Sequence, residues 1–407
     1  MRTKGDFDWL IFICAAILMI VGLGLIYSVF HPQLAAETSN SGNPYFVRQL
    51  IWALLGLTAM LIGFAVPFRY YESLAYVGYA LCVFLLIVVL FIGRGEGSQR
   101  WISLGPMKIA MVFAWARVLS GQRGGADRAK KVLLAMGLSA VPFLLVLKQP
   151  DLGTAIMIAV IALPVLYWRG VRGYRILYFI SPVVATLLIV YGEKITGNPW
   201  PFGVYIVLVI AVAYLKRSDL RASIALVASN LGIGVLLPVA WGHLKGYQQE
   251  RIISFLDPGS NRLDEGWQVF QSKIAIGSGG LAGKGFLFGS QKALEFLPAK
   301  HTDFIFSVLG EEEGFIGALF VLVLFGVLIV RALFLANKAK SEFTSTVCIG
   351  IAAYFFFQAF INVAMTTGMA PVTGIPLPFL SYGGSSLVVS FFAVGLLLNC
   401  SVRWYEY

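Results

Sequence analysis

Three stretches of the chain combine reactive side chains with backbone that could hold them. In His301-Thr302-Asp303-Phe304-Ile305-Phe306, a carboxylate stands where polar loop gives way to an apolar helix. A carboxylate there can be held by helix N-terminal amides and serve as general base or as ligand for a hard cation. The plainer reading is that Asp303 only caps the helix. The second stretch runs from Gly277-Ser278-Gly279-Gly280 to Gly283-Lys284-Gly285, an exposed backbone open to close approach with one cation in it. It suits phosphate and equally suits a flexible loop, and the G-x-x-x-x-G-K-[ST] spacing of a P-loop is not met. The third, Gly368 to Gly384, reads GMAPVTGIPLPFLSYGG, with three prolines and four glycines. Such a run is not helical, so at a membrane boundary its backbone must be buried in protein or line a cavity.

Other acids and bases alternate around these stretches, among them Asp151, the run Glu311-Glu312-Glu313, Arg100, Lys148 and Lys300. Taken singly, most charged loop residues read as a solvated face. His31 and His243 stand alone, and only His301 adjoins a candidate group. Cys14, Cys82, Cys348 and Cys400 all lie in apolar runs, which reads as buried small hydrophobes and indicates neither disulfide nor zinc chemistry. The outer loops contain no Gly-x-Ser-x-Gly and no catalytic cysteine.

The elements that must position these groups are membrane helices. Of 407 residues, 58% are hydrophobic and 13% charged, against about 25% charged in a soluble domain. A helix needs about 20 apolar residues to cross roughly 30 Å of hydrocarbon. On that rule the spans are Trp9–Phe30, Ile51–Phe68, Leu74–Ile92, Val132–Leu147, Thr154–Trp168, Ile176–Tyr191, Pro201–Leu215, Ile224–Trp241, Phe315–Leu335, Phe343–Met365 and Ser385–Val402, with Ile109–Leu119 as a short twelfth. Basic residues fill alternate connections, as in Arg123 to Lys131 and Arg169 to Arg175, so the positive-inside rule places both termini in the cytoplasm. The net charge of +11 then falls on the cytoplasmic side and leaves no excess to imply a nucleic-acid partner. The expected fold is an all-α polytopic bundle of about 12 transmembrane helices, one integral membrane domain over 1–407. The segment 242–314 forms a long outer loop before the last three spans, and the chemistry is expected there. None of the proposed spans holds an Asp or Glu, which argues against proton coupling.

At these residues the chain resembles the SEDS proteins (shape, elongation, division and sporulation) of bacterial cell-wall synthesis. The matching stretches are GSQRWISLG from Gly97, KQPDLGTA from Lys148, QSKIAIGSGGLAGKGFLFGSQ from Gln271, LEFLPAKHTDFIFSVLGEEEGFIG from Leu294 and TGIPLPFLSYGGSS from Thr373. RWISLG and GIPLPF are closer to the RodA type than to its division paralogue FtsW. The resemblance implies a peptidoglycan glycosyltransferase that polymerises lipid II at the outer face of the cytoplasmic (inner) membrane during cell elongation. It implies Asp303 as the essential aspartate, with Trp101, Asp151, Lys284 and the stretch Ser381 to Ser386, including Ser385, in the same outer site, and a class B penicillin-binding protein as partner among other elongation-complex membrane proteins. From their own chemistry, Arg100 is a further candidate for holding pyrophosphate, His301 adjoins Asp303, and a divalent cation (Mg or Mn) that Asp303 could ligate is expected. The rival readings are a flippase for the lipid-linked precursor, a scaffold that only recruits the transpeptidase, and a division-type polymerase.

Two departures from the family pattern stand out. The family core has ten spans, so 176–215 reads as an inserted helix pair. In addition, Gly105-Pro106-Met107-Lys108-Ile109 runs directly into Ala110-Met111, where the family carries a QPSE-type motif and a lysine opening the fourth helix. Either a segment is missing, which is the preferred reading, or the helix is short and Lys108 supplies the lost cation.

Overall fold

The computed structural model describes residues 5–36, 44–92, 104–121, 125–149, 151–171, 173–215, 220–243, 246–256, 265–289 and 301–405. Among these residues the regular structure is helical, with no strand. The chain forms two compact units.

The first unit comprises Met1–Arg169, Gln271–Thr367 and Thr373–Tyr407. It contains α1 (Trp9–Ala36), α2 (Pro44–Ala65), α3 (Phe68–Ile92), α4 (Leu104–Leu119), α5 (Gly125–Lys148) and α6 (Leu152–Trp168). Later in the chain come α12 (Ile305–Glu312), α13 (Gly314–Lys338), α14 (Glu342–Thr366) and α15 (Gly384–Arg403). The second unit, Gly170–Phe270 with Gly368–Val372, holds α7 (Gly173–Val190), a π-helical turn at Tyr191–Thr196, α8 (Trp200–Leu215), α9 (Leu220–His243) and α10 (Gly246–Leu256). Helix α11 (Glu265–Gly279) has residues in both units.

Among the described residues, seven helices (α1, α2, α3, α5, α13, α14 and α15) are long and apolar enough to cross a bilayer. The expected second span, Ile51–Phe68, stops at Ala65, because Pro67 lacks an N–H and disfavours helix in the residue before it. The expected inserted pair falls on α7 and α8, which join α9 through Ser181, Tyr205 and Asn230. Ser181 Oγ lies 2.7 Å from the Tyr205 hydroxyl and donates to Asn230 Oδ1 at 3.0 Å. A satisfied polar cluster of this kind is interhelical glue in a bilayer.

Within the first unit, α2 and α15 approach backbone to backbone. A Cβ on Gly395 would lie 2.2 Å from the Met60 carbonyl oxygen, and one on Gly63 would lie 2.8 Å from that of Phe392. Asn399 of α15 closes the end of α2 by donating to the Gly63 and Val66 carbonyls.

The short fourth helix is stable at 16 residues because it is surrounded by protein. Met107, Met111, Val112, Ala114 and Leu119 are all fully buried. Its C-terminal carbonyls, which a helix leaves unpaired, accept from cations. Arg169 donates to the Leu119 oxygen, and Lys131 to those of Ser120 and Gly121. Glu342, ion-paired with Arg169, accepts from the Gly121 amide.

Candidate functional site

Asp303 stands two residues before α12. The N-cap position of that helix is Phe304, and no side chain caps it, so Asp303 is not the cap residue. The half-buried Asp303 is held through the backbone around it. Three consecutive carbonyl oxygens each accept from a different donor. The Tyr382 amide donates to His301 O at 2.8 Å, the Ser381 hydroxyl to Thr302 O at 2.6 Å, and the Asn362 side-chain amide to Asp303 O at 2.9 Å.

The proline-rich run supplies the opposite wall. As its composition requires, it is not helical, and Val372, Thr373, Ile375, Leu377, Phe379 and Leu380 are buried. At Gly374, φ is +68°, and a Cβ there would sit 3.4 Å from Asp303 Oδ2. Glycine therefore serves the left-handed backbone, while the contact with the carboxylate is an ordinary one. Gly153, in the first turn of α6, comes so near that a Cβ would lie 2.3 Å from Thr373 O. This brings the α6 N-terminus, with Asp151, against the same wall.

Asp151 is the N-cap of α6 and accepts from the Thr154 amide at 3.0 Å and the Thr154 hydroxyl at 3.1 Å. Its charge also acts on buried Lys108 of α4. The Lys108 ammonium lies 5.9 Å from the Tyr354 ring centroid. Lys108 thus brings a cation from α4 into the interior near this wall, where the family pattern has a lysine opening the fourth helix.

Ser381 is buried, accepts from the Leu377 amide at 2.8 Å and donates to Thr302 O. It holds the Asp303 segment instead of facing a substrate. Ser385, half-buried, begins α15 with its backbone against the first turn of α4 at Gly105. His301 belongs to an aromatic group with Phe30, Tyr45 and Tyr382 at 5.4, 6.1 and 5.8 Å. Arg100 and Trp101 lie outside the described residues.

The glycine-rich segment is neither an open phosphate cradle nor a loose loop. The Lys284 and Gly285 amides donate to the Glu311 and Glu312 carbonyls, and Phe315 and Ile316 donate back to Gly280 and Leu281. Glycine is needed at 283, where φ is +79° and a Cβ would lie 2.0 Å from Glu312 O. The Lys284 ammonium bonds Glu311 at 2.7 Å, about 12 Å along the α12 axis from Asp303 at 1.5 Å per residue. Glu311 and Glu312 are themselves buried, and Ser28 of α1 donates to Glu312 at 2.6 Å. The structure thus assembles Asp303, Gly374, Asp151 and their supports at one wall, and ties Lys284 to the far end of α12.

The loop-centred sequence reading passed over Gln358 and Asn362. Both are fully buried in α14. Their signal is spacing: Tyr354, Gln358, Asn362 and Thr366 recur every fourth residue in the otherwise apolar stretch that follows Thr346, which places them on one face.

A family model described as a cell cycle protein model for FtsW, RodA and SpoVE matches residues 8–200 and 201–406. The peptidoglycan glycosyltransferase MrdB of Escherichia coli (strain K12) is 36% identical over 362 residues, covering 86% of this chain and 84% of that protein. The probable peptidoglycan glycosyltransferase FtsW of Trichlorobacter lovleyi is 32% identical, covering 97% and 93%. Among solved structures, a chain from a peptidoglycan synthase complex that coordinates polymerization and crosslinking matches with TM-score 0.69 at 27% identity, over 99% of both chains. The rod shape-determining protein RodA of Thermus thermophilus shares the fold at TM-score 0.62 and 23% identity, again over 99% of both. With a family model matched along nearly its whole length, and the same helical bundle in its structural neighbours, this chain belongs to the FtsW/RodA/SpoVE family of polytopic membrane proteins.

Proposed function

We propose that this chain is a peptidoglycan glycosyltransferase of the elongation type, polymerising lipid II at the outer face of the cytoplasmic membrane. The observation that carries this reading is Asp303, with the backbone of 301–303 held at three successive carbonyls and the carboxylate beside Gly374, in a chain 36% identical to a named peptidoglycan glycosyltransferase.

In the proposed reaction, the sugar 4-hydroxyl of an acceptor attacks the anomeric carbon of the growing glycan. Its proton passes to a base, the new glycosidic bond forms, and the bond to undecaprenyl pyrophosphate breaks. Going from an α-linked pyrophosphate to a β-linked polymer inverts the centre, so base and leaving group stand on opposite faces of the sugar. Asp303 is the base in this reading: its backbone is fixed on three carbonyls while its carboxylate stays partly exposed. An apolar groove of about 370 Å³ among α2, α3, α4 and α15, lined by residues such as Leu74, Leu81, Ile109, Phe113 and Phe392, has the chemistry to hold a polyprenyl tail.

Among the described residues no three His, Cys, Asp or Glu converge as a metal cage. If the carboxylate served a divalent cation instead of acting as base, Asp303 would be its single carboxylate ligand. Such an ion would neutralise charge on the pyrophosphate leaving group. For a partner, a class B penicillin-binding protein is proposed, on the strength of the crosslinking function in the matched synthase complex.

The test incubates purified protein with lipid II, with and without Mg²⁺ or Mn²⁺ and with and without the transpeptidase, and resolves the glycan products. Polymer is expected from the wild type and none from Asp303→Ala, with both equally folded. Full polymer from the variant overturns the role of Asp303. Headgroup translocation without polymer would establish the flippase instead.

A further inference from the structure

We infer that Asn362 is a positioning residue for Asp303, a role that rests on the transferase reading. Its side-chain nitrogen donates to two carbonyl oxygens, Asp303 O at 2.9 Å and Ile375 O at 2.7 Å. These belong to the two segments that face each other across the Asp303 carboxylate, since Ile375 follows Gly374. One amide group, rooted in a buried helix, therefore sets the separation between the carboxylate's own backbone and the wall opposite it. The ties from Ser381 and Tyr382 stop at Thr302 and His301.

The other half of the amide has no such tie: Asn362 Oδ1 is buried with no hydrogen-bond partner among the described residues, as is Gln358 Oε1 one turn earlier. Leucine removes this acceptor but leaves Asp303 O and Ile375 O without their donor, and an unsatisfied buried polar group costs about 1–3 kcal/mol, so the change is felt in stability as well as in position. What leucine lacks is the donor that holds both carbonyls. Gln358 repeats the pattern on the same wall, donating to Pro376 O at 2.9 Å.

The experiment compares wild type, Asn362→Leu and Asn362→Asp in purified protein with lipid II, reading kcat, KM and thermal unfolding. Asn362→Leu should lower kcat per folded protein about 100-fold, the scale for a misplacement of about 1 Å, with KM little changed and some fall in the melting temperature. In Asn362→Asp, burial keeps the carboxyl protonated, so it still donates one of the two bonds. That variant should lose only about tenfold in kcat, and more as rising pH ionises it. Positioning thus predicts the kcat order Asn, Asp, Leu for the folded protein. A purely structural role predicts melting temperatures that fall in the same order but kcat per folded protein near wild type in both variants, and that result overturns the inference.

Hydrogen exchange gives a readout that does not depend on turnover. In Asn362→Leu, amides 302–306 and 374–377 should exchange faster while the cytoplasmic end of α15 is unchanged. If the wild type makes no polymer, the transferase reading fails by itself and exchange decides the positioning. Unchanged exchange at both segments overturns it.

Discussion

Helices α5 and α14 are nearly equally apolar, and both are long enough to span a bilayer, yet 17% of one and 72% of the other is buried within the protein. Helix α15 resembles α14 in this, and α3 resembles α5. The difference lies in where polar groups are placed. Down α14 they recur every fourth residue, and each has a partner from a different element: Tyr354 with Ser390, Gln358 with Pro376, Asn362 with Asp303, and the Thr366 carbonyl with Ser272. Between α3 and α5, among the described residues, a hydrogen bond runs from the Tyr79 hydroxyl to Leu138 O at 2.9 Å. A polar side chain in a bilayer needs a protein partner, so the helix surrounded by protein is the one that can carry a site.

The comparison makes the buried side sensitive to polar loss. Lys284→Ala removes the ammonium from Glu311, a carboxylate only 1% exposed. Breaking a buried pair in this way costs about 3–5 kcal/mol. Thermal unfolding in detergent should show a large fall, and the double change Lys284→Met with Glu311→Gln should recover most of it. If Lys284→Ala unfolds like the wild type, the clamp at the end of α12 is not part of the buried class.

A smaller effect is expected where the sensitivity is to volume. Gly395→Leu forces a side chain into the Met60 carbonyl, 2.2 Å from the position of its Cβ. Overpacking of a close interface costs about 1–3 kcal/mol. Stability should fall by that amount and polymer yield should fall with the folded fraction, since α2 and α15 lie beside the Asp303 wall without supplying its carboxylate. The same substitution at Gly137 of α5, where a Cβ meets nothing within 4 Å, should be tolerated.

These helices, the HTDF segment and the buried non-helical GMAPVTGIPLPFLSYGG run were legible in the sequence, because apolar length, a carboxylate at a polar-to-apolar junction and proline content are local signals. The rest depended on partners distant in the chain. Glu311 and Glu312 read as solvated acids, since nothing local announces Ser28 of α1, 284 residues away. The glycine-rich segment read as an exposed loop, whereas its glycines allow contact with the end of α12. Ser381 read as a substrate contact, yet its hydroxyl serves two backbone groups. The α14 stripe was visible as a fourfold spacing, but spacing alone does not say whether such a face meets protein or lipid.

The smallest expected effect is on the lipid-facing side. Leu133 of α5 is 71% exposed in the protein, so in a bilayer its side chain meets lipid tails as apolar as itself. Leu133→Ala removes no protein packing, and helix association in lipid gains little from such a residue. The change should stay within about 0.5 kcal/mol, the range for substitutions away from packed features. Leu397 of α15 is fully buried, and the same truncation there leaves a cavity costing about 2–5 kcal/mol. Measured side by side in bilayer discs, the two truncations isolate burial from residue type. Equal losses would mean that α5 is covered by something other than lipid.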